Sequence, residues 1–154
     1  MRRRDFIKLV GSSAAAWPVA SHAQQPDRMR RIGILMNLAE GDAEAQDRIA
    51  AFLRGLQQLG WTDSRNVRID TLFAVGSGAE ARKNVADLVA RAPDVILATG
   101  SVSVGPLLQV SGAVPIVFVL VPDPVGAGYV NSLARPGGNA TGFSLYEYGI
   151  GGKW

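Results

Sequence analysis

Cysteine is absent from the 154 residues, and histidine occurs once, at His22. The first absence excludes disulfides, so the fold must be held by a packed core. The second removes the imidazole on which transition-metal sites and His-based catalytic triads are usually built. A membrane-spanning run is also lacking. The best candidate, Leu9 to Ala20, is too short for a hydrocarbon layer of about 30 Å and contains Gly11 and Pro18. There is no internal repeat, heptad pattern or low-complexity segment, which excludes solenoids and coiled coils.

What the first 23 residues hold is the pattern of an export signal. Arg2-Arg3-Arg4-Asp5-Phe6-Ile7-Lys8 precedes the mild apolar stretch, and Ser21-His22-Ala23 offers small residues where a signal peptidase reads. The paired arginines resemble the twin-arginine (Tat) consensus, with Arg2 in place of the usual Ser or Thr. Cleavage after Ala23 would send the chain to the periplasm with no stable membrane insertion, and would remove His22. Four of the sixteen basic residues and one of the thirteen acidic ones fall in this leader, leaving twelve of each. The remaining chain is formally neutral, which gives no footprint for nucleic acid.

Residues 24–30 read as a polar linker, and strand and helix patterns then alternate. Arg31 to Asn37 is a strand with Ile32, Ile34, Leu35 and Met36 buried. Asp42 caps a helix to about Leu59, with Ile49, Phe52, Leu53, Leu56 and Leu59 at helical spacing, Glu44 and Arg48 as an i,i+4 pair, and Gly60 as its left-handed stop. Val67 to Ala74 is a second strand. Ser77 and Glu80 form a capping-box pattern opening a helix with Ala81, Val85, Leu88, Val89 and Ala92 on one face. Gly76-Ser77-Gly78 lacks the spacing of a phosphate loop and reads as a turn. Val95 to Thr99 is a third strand, followed by Gly100-Ser101-Val102-Ser103 and a short helix around Pro106 to Val110. This alternation predicts an α/β fold, an open parallel sheet flanked by helices.

The most distinctive stretch is Pro115 to Ser144, PIVFVLVPDPVGAGYVNSLARPGGNATGFS. Ile116 to Val121 is an apolar strand. Asp123 and Pro124 suit a helix cap and first position, a short helix carries Val130, Leu133 and Ala134 on one face, and Pro136-Gly137-Gly138 stops it. Thr141 to Ser144 is extended again. The run DPVGAGYVNSLARPGGNATGFS resembles the signature of the periplasmic substrate-binding proteins of ABC importers, in the type I periplasmic-binding branch whose better-known members take up aromatic amino acids. The resemblance implies two α/β lobes closing on a solute without catalysis, with the importer's permease and ATPase as partners. Residues 31–144 resemble the amino-terminal lobe only. Residues 145–154 stand where the hinge or second lobe would begin, as in a truncated copy, and a lobe lacking its other half would leave a sheet edge and apolar surface open.

In a parallel sheet the strand carboxyl ends share one edge, where open α/β folds bind ligands. The candidate ligand contacts there are Asn37, Thr99, Gly100, Ser101, Ser103 and Asp123. Hydroxyls and unpaired N–H groups at a helix start suit a carboxylate, and Asp123 suits an ammonium group, so the set fits a zwitterion such as an amino acid. Helix capping alone also explains Ser101, Ser103 and Asp123, and Thr99 fits a strand end. Trp61 and Tyr129 fit either ligand contact or half-buried packing, and Asn139-Ala140-Thr141 matches a glycosylation sequon that a bacterial export signal makes irrelevant. No motif calls for a cofactor or a metal. Two other classes stay open on the residues alone: a small exported α/β hydrolase-like enzyme using Ser with a Lys or Asp base, and a flavodoxin- or receiver-like binding module.

Overall fold

The structure is a computed structural model that describes residues 28–76 and 78–145. The leader, Ser77 of the capping box and the hinge run from 146 lie outside the described residues. Five strands form one sheet: β1 (Arg30–Met36), β2 (Val67–Phe73), β3 (Val95–Thr99), β4 (Ile116–Val121) and β5 (Ala140–Ser144). Their order is β2-β1-β3-β4-β5, and every neighbouring pair is parallel. Three helices connect them: α1 (Ala43–Gln58), α2 (Gly78–Ala90) and α3 (Ser101–Val110). This is the open, parallel, helix-flanked sheet that the alternation predicts.

Period-2 alternation in the strands divides the core between the two faces of the sheet. Leu35, Ile96, Ala98, Ile116 and Phe118 are buried with Val85 and Leu88 of α2 and Val104 and Leu107 of α3. Ile34 and Met36 turn to the other face, where they meet Ala45, Ile49 and Phe52 of α1. Each fully buried Leu, Ile, Val or Phe contributes about 1.5–3 kcal/mol through removal from water. Gly33 of β1 lets α2 come close, since a β-carbon there would stand 3.1 Å from Leu88 Cδ1.

Asp42 caps α1 as expected, its Oδ1 accepting the Glu44 N–H at 2.8 Å. The other end closes as a Schellman motif: Gly60 at φ 85° donates to Gln57 O, and Trp61 donates to Leu56 O. Glu44 and Arg48 pair on the wet face. Ile32 is half-buried, and β1 begins at Arg30, one residue earlier than its pattern suggested.

Four local expectations fail, each for a physical reason. Leu59 is 77% exposed because it is the C-cap residue, rotated off the apolar face of α1. Ala92 lies beyond the end of α2 at φ 51° and is exposed. Helix α3 begins at Ser101, immediately after Gly100, and carries Pro106 in its interior. Burial of Val104 and Leu107 holds its first turns helical and offsets the one backbone bond that Pro106 cannot donate. The predicted helix after Pro124 is a single turn followed by irregular chain. Asp123 Oδ1 accepts the Gly126 N–H at 2.7 Å, Ser132 Oγ accepts the Arg135 N–H at 2.9 Å, and two glycines within Val125–Gly128 remove the propensity to continue. Val130 is buried, whereas Leu133 and Ala134 are exposed.

Strands β4 and β5 pair around an irregularity between Phe118 and Val121, where Leu120 adopts φ 59°. Opposite it, Gly142 lies so close to Phe118 that a β-carbon would stand 2.7 Å from Phe118 C. Asn139 ties the start of β5 to the preceding loop by donating to Ser111 Oγ, Gly112 O and Val114 O, a structural role for the sequon residue. Beyond it Phe143 stands 73% exposed.

Candidate functional site

The strand order sets β3 between β1 and β4, so the carboxyl ends carrying Asn37, Thr99 and the Asp123 turn are neighbours on one edge. Asn37 follows the last residue of β1, and Thr99 is the last residue of β3. Although 62 positions apart, they are bonded twice: the Asn37 N–H donates to Thr99 Oγ1 at 2.8 Å, and the Thr99 hydroxyl donates to Asn37 Oδ1 at 2.7 Å. Thr99 is buried and Asn37 half-buried, so the pair sits at the floor of the edge.

Gly100 is the N-cap residue of α3, at φ 71° and ψ 159°. A side chain is excluded there on two counts. Only glycine adopts that backbone readily, and a β-carbon would stand 2.7 Å from Asn37 Nδ2. The carboxamide of Asn37 therefore lies directly over the residue that opens the helix. The Gly100 N–H is taken by Val119 O, and its carbonyl accepts from Ser103 and Val104. Among the described residues nothing accepts the N–H groups of Ser101 and Val102, the two donors that the first turn leaves free.

The serines do not cap the helix. The N-cap position is Gly100, with no side-chain hydrogen bond, so Ser101 and Ser103 occupy the first and third helical positions. Ser103 is fully buried, and its Oγ has no hydrogen-bond partner among the described residues. A buried hydroxyl without a partner loses about 1–3 kcal/mol relative to one that is bonded, which marks the first turn of α3 as a place with polar capacity in reserve.

Asp123 stands two residues beyond β4 on the same edge. One of its oxygens closes its own turn through Gly126, so capping explains that oxygen and leaves the other as its remaining acceptor. The same turn reaches α3 through Tyr129, whose hydroxyl donates to Ser101 O at 3.2 Å. Tyr129 is thus a brace for the edge. Trp61 lies at the opposite end of the sheet, beside Arg30, Arg31, Leu56, Val67, Asp94 and Val95, away from the strand carboxyl ends.

Two hollows flank the edge. One, of about 360 Å³, is mostly apolar and is lined by Ile34, Met36, Ile49, Ala51, Phe52, Leu97, Thr99, Val119 and Leu120, with Arg48 also at its wall. The other, of about 460 Å³, lies between the ends of β1 and β2 with Glu40, Gly76, Lys83 and Asn84 at its wall. Asn84 is held there by donating to Phe73 O at 2.7 Å. Among the described residues no group of three or more Asp, Glu, His or Cys is placed to hold a metal ion. Sequence reasoning missed the Asn37–Thr99 pairing, the Tyr129 brace and the orphan character of Ser103. A polar residue just past each of two neighbouring strands was the available signal for the first.

Comparison with known proteins fits the fold. A curated tyrosine-binding protein of Clostridioides difficile (strain R20291) is 33% identical over 95 residues, covering 62% of this chain and 28% of that protein. A solved structure of a conserved domain protein from Vibrio cholerae O1 biovar El Tor superposes with a TM-score of 0.68 at 30% identity, over 76% of this chain and 39% of that one. The ABC domain in complex with L-Trp from Streptococcus pneumoniae gives 0.65 at 27% identity, over 76% and 39%. The chain thus spans well under half the length of each of these relatives. The model of the ABC transporter substrate binding protein family matches residues 31–148, from the first strand past the last, and the chain belongs to that family.

Proposed function

We propose that this chain is the amino-terminal ligand-binding lobe of an exported solute-binding component of an ABC importer, taking up a small zwitterion, an amino acid, without catalysis. The observation that carries the reading is the convergence on one sheet edge of Asn37, Thr99 and the Gly100-led start of α3. Donors dominate there: two free backbone N–H groups, the Asn37 carboxamide and the Ser101 and Ser103 hydroxyls, all at the positive end of a helix. That composition suits a carboxylate, and the uncommitted oxygen of Asp123 suits the ammonium group of the same molecule. The names of the relatives, one tyrosine-binding and one in complex with L-Trp, support an aromatic amino acid as ligand. The apolar hollow beside Thr99 offers a place for its ring.

The chain is delivered to the periplasm by the twin-arginine leader, cleaved after Ala23, and works with the importer's permease and ATPase. A thermal-shift screen of the chain against the twenty L-amino acids, followed by calorimetry on the hits, tests this reading. Saturable binding with the ligand recovered unchanged supports it. Conversion of a bound compound to product, or no response to any amino acid, sinks it. Intact-mass measurement of the species recovered from the periplasm tests the export step, with cleavage after Ala23 as the expected result.

A further inference from the structure

We infer that Thr99 is a positioning residue that orients the Asn37 carboxamide so that its NH2 group, and not its oxygen, faces an incoming carboxylate at the start of α3. The inference rests on the proposed ligand edge and names which end of the ligand this part receives.

An asparagine side chain is ambivalent, since its oxygen accepts and its nitrogen donates, and a half-turn about its last bond exchanges them. Thr99 removes that freedom. Its Oγ1 accepts the Asn37 backbone N–H at 2.8 Å, so the hydroxyl hydrogen is left to donate, and of the acceptors in reach Asn37 Oδ1 at 2.7 Å is much nearer than Met36 Sδ at 3.3 Å or Leu35 O at 3.5 Å. The oxygen of the carboxamide is thereby fixed against Thr99. Nδ2 is turned toward Gly100, 2.7 Å from where a β-carbon of that residue would stand. No acceptor among the described residues takes this NH2 group. It joins the free N–H groups of Ser101 and Val102 and the unpartnered, fully buried Ser103 Oγ in the same first turn. Three of these groups can only donate and the fourth, the Ser103 hydroxyl, can donate as well as accept, so the set suits a carboxylate. A reversed carboxamide would put an oxygen beside the anion and repel it. Gly100 completes the device, because any larger residue would push the carboxamide off the helix start.

The test uses sodium acetate as a bare carboxylate probe, titrated into the isotope-labelled chain at constant ionic strength and followed by NMR. Acetate should shift the Asn37 side-chain NH2 resonances and the backbone amides of Ser101, Val102 and Ser103. Methylammonium chloride should shift none of them. Thr99→Val should weaken the acetate response roughly tenfold, as for the loss of an oriented hydrogen bond to a charged group, and Thr99→Ser should restore it. Asn37→Asp keeps the side-chain shape, places a carboxylate where the NH2 stood and should abolish the response. Circular dichroism identifies any variant that fails to fold, and Thr99→Ser and Asn37→Asp keep the test decisive if Thr99→Val does. Absence of an acetate effect in the wild type, or an unchanged effect in Asn37→Asp, overturns the inference. Amino-acid binding without any Asn37 response sinks this inference alone, whereas an acetate response without any amino-acid binding sinks the ligand reading and leaves the subsite standing.

Discussion

Replacing Gly100 with alanine should strike backbone and site together, and the two contributions can be separated. The backbone there stands at φ 71° and ψ 159°, a region populated almost solely by glycine, and holding an L-residue in it costs about 1–3 kcal/mol. The new methyl would also meet Asn37 at 2.7 Å from Nδ2, 3.1 Å from Cγ and 3.3 Å from Cβ. The carboxamide is the flexible end, so it swings away and gives up its bond from the Thr99 hydroxyl, a further loss of about 0.5–1.5 kcal/mol. Gly100→Ala should therefore destabilise the chain by about 2–4 kcal/mol. Two glycines serve as controls in the same molecule. Gly112 has φ 57° with nothing within 4 Å of a β-carbon, so Gly112→Ala carries the backbone contribution alone, about 1–2 kcal/mol. Gly138 has neither a positive φ nor a neighbour, so alanine there should be neutral or stabilise by up to about 1 kcal/mol through the unfolded chain. Urea denaturation of the three variants and wild type gives the order directly. If Gly100→Ala is no worse than Gly112→Ala, the coupling to Asn37 is wrong. If it matches Gly138→Ala, the backbone argument falls as well.

Two further substitutions test the scaffold. Gly142→Ala places a methyl group against the backbone of Phe118, which cannot rotate aside as a side chain can. It should cost about 3 kcal/mol or more as β5 parts from β4, and hydrogen exchange at Ala140–Ser144 should accelerate; unchanged protection there would show that the close strand approach is not required. Asp70, with a side chain only 10% exposed, pairs with Arg91 at 2.9 Å and lies 3.8–3.9 Å from Arg68 and Arg31. Because the arginines are substantially solvated, Asp70→Asn should cost only about 1 kcal/mol, and the difference from wild type should shrink in high salt; a salt-independent difference would mean that the carboxylate acts by packing and not by charge.

Elements whose physics is local could be read from the chain. The short apolar runs in Arg31–Met36 and Ile116–Val121 read as buried strands because a sheet covered on both faces needs apolar side chains in both directions, and the Asp42 cap and Gly60 stop of α1 need only neighbouring residues to act. The readings that failed did so where a local cue competes with burial or loop geometry. Pro106 looks like a helix start, yet the contacts of Val104 and Leu107 carry α3 back to Ser101. Asp123-Pro124 looks like a helix opening, yet the following glycines and the Asx turn at Gly126 end it within one turn.

The candidate site was legible as a set of residues and illegible as a mechanism, and the reason is strand order. Alternating strands and helices fix that all carboxyl ends share an edge, which is enough to nominate Asn37, Thr99, Gly100, Ser101, Ser103 and Asp123 together. They do not fix which ends touch. Placing β3 directly beside β1 turns Asn37 and Thr99 from two separate ligand candidates into one bonded unit, with Thr99 occupied by Asn37. Placing β4 on the far side of β3 lets the Asp123 turn reach α3 through Tyr129 and Ser101. The Asn37 carboxamide thus stands on the β1 side of the α3 start, and the Asp123 carboxylate follows β4 on the other side. Under the proposed function, a zwitterion lying across the end of β3 would meet opposite polarity at its two ends. That polarity is a property of strand order acting on residue types that the sequence had already supplied.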